Sequence, residues 1–109
     1  MLFRSVRFLP TVRVWPVKRT KEEGKNIHFY CFAGGQQTPI IAWSRESGEP
    51  MSRRVFIRGR RLLIRGVKKE DGGTYLCTAR NTYGSEIAAG KLTVKGKKYL
   101  FIIYGLLFM

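Results

Sequence analysis

From residue 25 to residue 94, apolar and polar positions alternate in short runs, the period of strands that bury one face. Residues 25–33 place Ile27, Phe29, Cys31 and Ala33 on one side and His28, Tyr30 and Phe32 on the other, until Gly34-Gly35 interrupts the run. Residues 40–45 follow Pro39 and turn Ile41 and Trp43 inward, and Ser47-Gly48-Glu49-Pro50 has the composition of a turn. Residues 54–58 and 60–65 flank Gly59 as a hairpin-like pair that directs Val55, Ile57, Leu62 and Ile64 to the core. Val67 closes the bottom ahead of the corner Lys68-Lys69-Glu70-Asp71. Residues 74–80 turn Tyr75, Cys77 and Ala79 inward, residues 81–85 turn around Gly84, and residues 87–94 form the last strand. No helical period, internal repeat or low-complexity tract is visible. Short strands with a turn signal roughly every ten residues predict an all-β sandwich of two antiparallel sheets.

Particular residues narrow this class. Trp43 follows Cys31 by about a dozen positions, and Tyr75 stands two before Cys77 in Asp71-Gly72-Gly73-Thr74-Tyr75-Leu76-Cys77. The stretch Leu62-x-Ile64-x-x-Val67-x-x-x-Asp71-x-Gly73-x-Tyr75-x-Cys77-x-Ala79-x-Asn81-x-x-Gly84, ending in Leu92-x-Val94, resembles the I-set immunoglobulin domains. The resemblance covers about residues 10–95 and is specific for the domain type, not for one protein. It implies a Cys31–Cys77 bond across the core with Trp43 packed on it, and a Tyr75 hydroxyl bonded to backbone near residues 67–71. It also implies that Arg54 or Arg58 pairs with Asp71. Such domains occur in cell-adhesion molecules, receptor ectodomains, basement-membrane proteoglycans and giant muscle proteins.

Length and cysteine count agree with one domain of this kind: 109 residues with two cysteines, enough for one bridge. A bridge implies an oxidising compartment, hence an extracellular or cell-surface setting; a reduced, buried pair is the alternative. Residues 1–9 and 96–109 are expected outside the domain. The first fifteen residues are interrupted by Arg4, Arg7 and Arg13, so they hold no apolar core of a secretory signal. The apolar run 99–109 would span about 16 Å as a helix against a hydrocarbon core of about 30 Å. The C-terminal tail reads as a truncated membrane anchor or as translated non-coding sequence, and the chain as a fragment of a longer multi-domain protein.

Charge is where the chain departs from the family it resembles. Lys and Arg number 21 against 7 Asp and Glu, a net charge of +14. Arg53, Arg54, Arg58, Arg60, Arg61 and Arg65 lie in or beside the paired strands 54–58 and 60–65, with Lys68 and Lys69 at the next corner. Such density attracts polyanions with steep salt dependence, and outside the cell heparan sulfate is the natural one. The competing reading is that these side chains only solvate strands and blunt a sheet edge. The oxidising compartment argues against nucleic acid. Tyr30, Phe32 and Leu63 are expected on this basic face. The opposite face, with Ile40, Ala42, Leu76, Thr78 and Ala89, carries less charge and is the expected surface for protein contact.

Chemistry finds little foothold. His28, the only histidine, alternates outward with no acidic or hydroxyl partner set beside it by sequence. The cysteines do not form a CxxC pair, neither glycine pair has phosphate-loop form, and Asn26 and Asn81 fail as glycosylation sequons. No enzyme activity, cofactor, metal or small-molecule substrate is expected. The expected role is a protein-interaction module of a cell-surface or matrix protein, binding other immunoglobulin-type or extracellular domains, homophilically or heterophilically. A structural spacer unit of a matrix or sarcomeric array is the alternative.

Overall fold

A computed structural model describes residues 8–96; residues 1–7 and 97–109, and the expectations for them, lie outside the described part. Eight strands appear: β1 (Thr11–Trp15), β2 (Lys18–Glu22), β3 (Ile27–Gly34), β4 (Ile40–Arg45), β5 (Val55–Arg58), β6 (Arg61–Ile64), β7 (Gly73–Asn81) and β8 (Gly84–Lys95). They form two four-stranded sheets, ordered β1-β3-β6-β5 and β2-β8-β7-β4. One short 3-10 turn, Lys69–Asp71, marks the corner between β6 and β7, where the sequence shows no helical period.

The sandwich forms because alternation aims one side of each long strand into the gap between the sheets. β3 contributes Ile27, Phe29 and Cys31, β6 Leu62 and Ile64, β7 Tyr75 and Cys77, and β8 Leu92 and Val94, all buried. Val14 of β1 and Val67 close the two sides of this cluster. Each such aliphatic or aromatic side chain contributes about 1.5–3 kcal/mol on burial. Cys31 and Cys77 are bonded, joining β3 to β7 with Cα atoms 6.4 Å apart, within the reach of a disulfide. Trp43 lies opposite Cys77 in the β4–β7 ladder and packs, partly buried, on the core.

Two local features differ from the alternation reading. Residues 11–22 form strands that hydrophobic patterning does not mark, and one of them breaks the antiparallel rule. β1 runs antiparallel to β3, but the chain crosses at Trp15–Pro16, a cis bond, to the other sheet, where β2 runs parallel to β8. Having crossed without reversing, β2 keeps the direction of β1 and therefore that of β8. At the other end of the pattern, Ile57 is half exposed at the sheet edge because β5 has a neighbour only in β6.

The sheets meet closely at Gly90. A Cβ built there would stand 2.7 Å from the Phe29 ring and 2.8 Å from Val14, closer than carbon atoms pack, so the Phe29 ring occupies the place of a side chain on β8.

Candidate interaction surfaces

The corner before β7 gathers the residues that hold the scaffold. Asp71 is fully buried. Its carboxylate accepts hydrogen bonds from Arg54 Nε at 2.8 Å, Arg54 Nη2 at 3.0 Å and the Lys68 backbone N–H at 2.8 Å. Its backbone carbonyl accepts the Tyr75 hydroxyl at 2.6 Å. Burial alone would raise the Asp71 carboxyl, but the Arg54 bond and charge and the Lys68 N–H outweigh it and hold the group below its ordinary value. Burial pushes the Tyr75 hydroxyl up to about 12. Arg45, which sequence patterning treats only as a strand end, donates to the Gly72 carbonyl at 2.6 Å and stands over the Tyr75 ring, 5.1 Å from its centroid. Gly73 adopts φ +134°, and a Cβ there would touch the Arg45 guanidinium at 3.0 Å. Glycine is therefore required where Arg45 crosses the backbone.

This corner divides the eight cations expected to form one polyanion site. Arg54 is committed to Asp71 and Glu70 through Nε and Nη2, which makes it a structural residue of the corner. Arg53 sits in the turn before β5, Lys68 precedes the 3-10 turn and Lys69 opens it, while Arg58, Arg60, Arg61 and Arg65 lie on or beside the β5–β6 hairpin. Arg65 rests over the Phe56 ring, 5.1 Å from its centroid.

The outer face of the β1-β3-β6-β5 sheet can be read row by row from the ladders. Trp15, Tyr30, Arg61 and Arg58 stand side by side across all four strands; Arg13 faces Phe32 in the next row, and His28, Leu63 and Phe56 form the row below. Along β3 the rings of His28, Tyr30 and Phe32 stack at centroid distances of 6.1 and 6.4 Å, and Trp15 lies 6.3 Å from Tyr30. Leu63, expected among the exposed residues, is instead buried between its neighbours His28 and Phe56. His28 is shifted below its ordinary value, first by burial and then by the charges of Arg61, Arg19 and Lys21. None of the seven acidic residues of the chain lies on these four strands. Arg13 and Trp15 belong to this face but escaped sequence reasoning, because membership follows from the β1–β3 pairing.

The opposite sheet presents a different surface. Ala42, Thr78 and Ile87 form one row across β4, β7 and β8, and Ser44, Leu76 and Ala89 the next. Ile40 stands at the edge with 78% of its surface exposed, and Ile87 with 58%. Leu76 and Thr78 are half-buried by their neighbours. These two rows carry no charge, and the boundary is drawn by Arg80 on one side and the Lys18–Lys91 pair on the other. Between β1 and β8 the sandwich leaves an open cleft of 380 Å³ lined chiefly by Val12, Val14, Trp15, Val17 and Phe32. Among the described residues no His, Cys, Asp and Glu cluster could hold a metal ion, and no helix is long and apolar enough to cross a membrane.

Comparison with known proteins follows the same lines. The chain is 36% identical over 96 residues to a neuronal cell adhesion molecule of Gallus gallus, covering 83% of this chain and 8% of that protein. It is 33% identical to contactin-3 of Mus musculus, with 83% and 9% covered, and 34% identical to cell adhesion molecule 2 of Xenopus tropicalis, with 77% and 20% covered. The chain thus spans a small part of the length of these relatives. Among solved structures, the N-terminal four immunoglobulin domains of Dscam1 superpose with TM-score 0.67 at 27% identity, covering 79% of this chain and 21% of that one. A titin M10–obscurin-like 1 complex superposes with TM-score 0.69 at 23% identity, covering 83% and 97%, a likeness of fold. The family model of the immunoglobulin domain matches residues 10–81, and with the disulfide-linked two-sheet sandwich in place the chain belongs to the immunoglobulin domain family.

Proposed function

We propose that this domain is a non-catalytic protein-interaction module of a cell-surface or extracellular-matrix protein, and that it meets its partner through the outer face of the β2-β8-β7-β4 sheet. The observation that carries this reading is the uncharged strip of Ala42, Thr78, Ile87, Leu76 and Ala89, edged by exposed Ile40, on a chain of net charge +14. Apolar area left in water on one side of a strongly charged molecule fits a surface that is covered in use. Two copies of so basic a domain repel one another, so the partner is another extracellular domain of neutral or acidic character rather than a second copy. The adhesion-molecule relatives and the disulfide support the extracellular setting. Their far greater length supports reading the domain as one unit of a longer chain. A spacer unit needs contacts only at its ends, whereas the exposed apolar residues here lie in mid-face.

Ile87→Arg and Ala42→Arg place charge in the strip without touching the core. Cells displaying the domain should bind a panel of displayed extracellular domains through the wild type and lose that binding in both variants, with unchanged melting. Undiminished binding by either variant would remove this face from the reading.

A further inference from the structure

We propose that the other face, the outer surface of the β1-β3-β6-β5 sheet, is a platform for a sulfated glycosaminoglycan, with Arg13, Arg58 and Arg61 holding sulfates around the Trp15, Tyr30 and Phe32 rings. The inference is independent of the protein-facing surface, since it rests on the other sheet and on different residues. Its first support is arrangement. Trp15, Tyr30, Arg61 and Arg58 occupy one row across four strands, which at normal strand spacing spans about 14 Å. Arg13 flanks the row beside Phe32. Guanidinium groups bind planar oxyanion faces through paired N–H donors, and the negative faces of aromatic rings accept the C–H side of a sugar ring.

Energetics point the same way. Arg58 and Arg61 stand directly opposite each other, a like-charge pairing that destabilises a sheet. No carboxylate on these strands offsets it. A bound polyanion turns this repulsion into attraction. The arginines are also not equivalent: Arg54 is paired with Asp71 and Glu70, and Arg65 lies over Phe56, whereas Arg58 and Arg61 stand in the row with the rings. A sulfated glycan is favoured over a lipid surface on two grounds. The disulfide places the domain outside the cytosol, whereas anionic lipid is concentrated in the cytoplasmic leaflet. Moreover, the rings stand beside one another at 6.1–6.4 Å and form a supported row rather than a wedge.

The test uses the full chain and a size-defined heparin oligosaccharide, titrated at several salt concentrations. Joint replacement Arg13→Ala, Arg58→Ala and Arg61→Ala should weaken binding about tenfold or more and flatten the salt dependence by roughly two to three ion contacts. The charge-matched set Lys18→Ala, Lys91→Ala and Lys95→Ala, on the other sheet, should change binding less than about twofold. Trp15→Ala should weaken binding with the salt slope unchanged. His28, the sole histidine, lies on the face and serves as a reporter: its NMR titration should move to higher pH when the oligosaccharide is bound, because an anion favours the imidazolium. Equal losses in the two triple variants, or an unmoved His28 titration, would reduce the attraction to overall charge and overturn the site. Equally tight binding to phosphatidylserine vesicles, competing with heparin, would replace the glycan with a lipid surface.

Discussion

Asp71 shows how one buried charge organises a corner. Its carboxylate is satisfied by Arg54 and the Lys68 N–H, and its carbonyl receives the Tyr75 hydroxyl, so a single residue ties the β5 entry, the 3-10 turn and β7 together. Tyr75→Phe removes only the last of these bonds and should lower the unfolding free energy by about 0.5–1.5 kcal/mol in urea titrations. The pH dependence carries the opposite signature for each partner. Because the Asp71 carboxyl is held below its ordinary 3.8, its contribution is complete above that value and is lost as pH falls through the lower folded value. Stability curves between pH 7 and pH 2 should therefore steepen in acid, and Asp71→Asn should flatten them. Tyr75, pushed up from 10.0 to about 12, contributes below pH 10 and loses that contribution as pH rises toward 12. Gly90→Ala forces a methyl group into the Phe29 ring and Val14, and should cost about 1–3 kcal/mol by the same titration.

At the scale of elements, the disulfide and the edge strands set the terms. The Cys31–Cys77 bond closes a separation of 46 residues between the sheets, and Cys31→Ala with Cys77→Ala should lower stability by about 2–5 kcal/mol in reducing-agent-free denaturation. Alternation made β3, β4, β6, β7 and β8 legible in the sequence because each carries a full apolar side. It could not show β2, whose residues Lys18–Glu22 include no apolar side chain. That strand is held by main-chain hydrogen bonds to Lys91–Lys95, an interaction that leaves no trace in composition. β1 has only Val12 and Val14 on its inward side, in five residues that end at Pro16, too short an alternation to mark a strand. The consequence reaches the basic face: Arg58, Arg60 and Arg61 were visible as a cluster, whereas Arg13 and Trp15 join them only through pairing with β3. Arg54 could be assigned to Asp71 only as one of two candidates, since sequence spacing does not say which guanidinium bends over the corner.

For the molecule as a whole, charge is sorted rather than spread. One sheet face carries arginines and rings without a carboxylate, the other an uncharged strip, and six of the seven acids gather at the corner with Glu70 and Asp71, near Glu22 and Glu23, and in the β4–β5 connection with Glu46 and Glu49, leaving Glu86 at the start of β8. Among the described residues the buried core runs from Val14 to Val94, with Pro10 also buried just upstream. A chain trimmed to residues 8–96 should therefore melt cooperatively. Trimming further, to 10–96, removes Phe8, whose ring lies 4.9 Å from that of Tyr83 and whose carbonyl accepts Asn81 Nδ2 at 2.9 Å; a slightly lower Tm in a thermal scan is the expected result.

The crossing at Trp15–Pro16 has a consequence under tension. Because β2 runs parallel to β8, the upstream end of β2 and the downstream end of β8 point to opposite poles of the sandwich. A pull on those two ends slides the strands past each other, so the rungs between Lys18–Glu22 and Lys91–Lys95 are strained together rather than one after another. An antiparallel partner at the same edge would peel open rung by rung. Behind that latch, the Cys31–Cys77 bond keeps the chain between the two cysteines from paying out. A load applied to those two ends would therefore meet a latch that yields all at once and a loop that cannot lengthen.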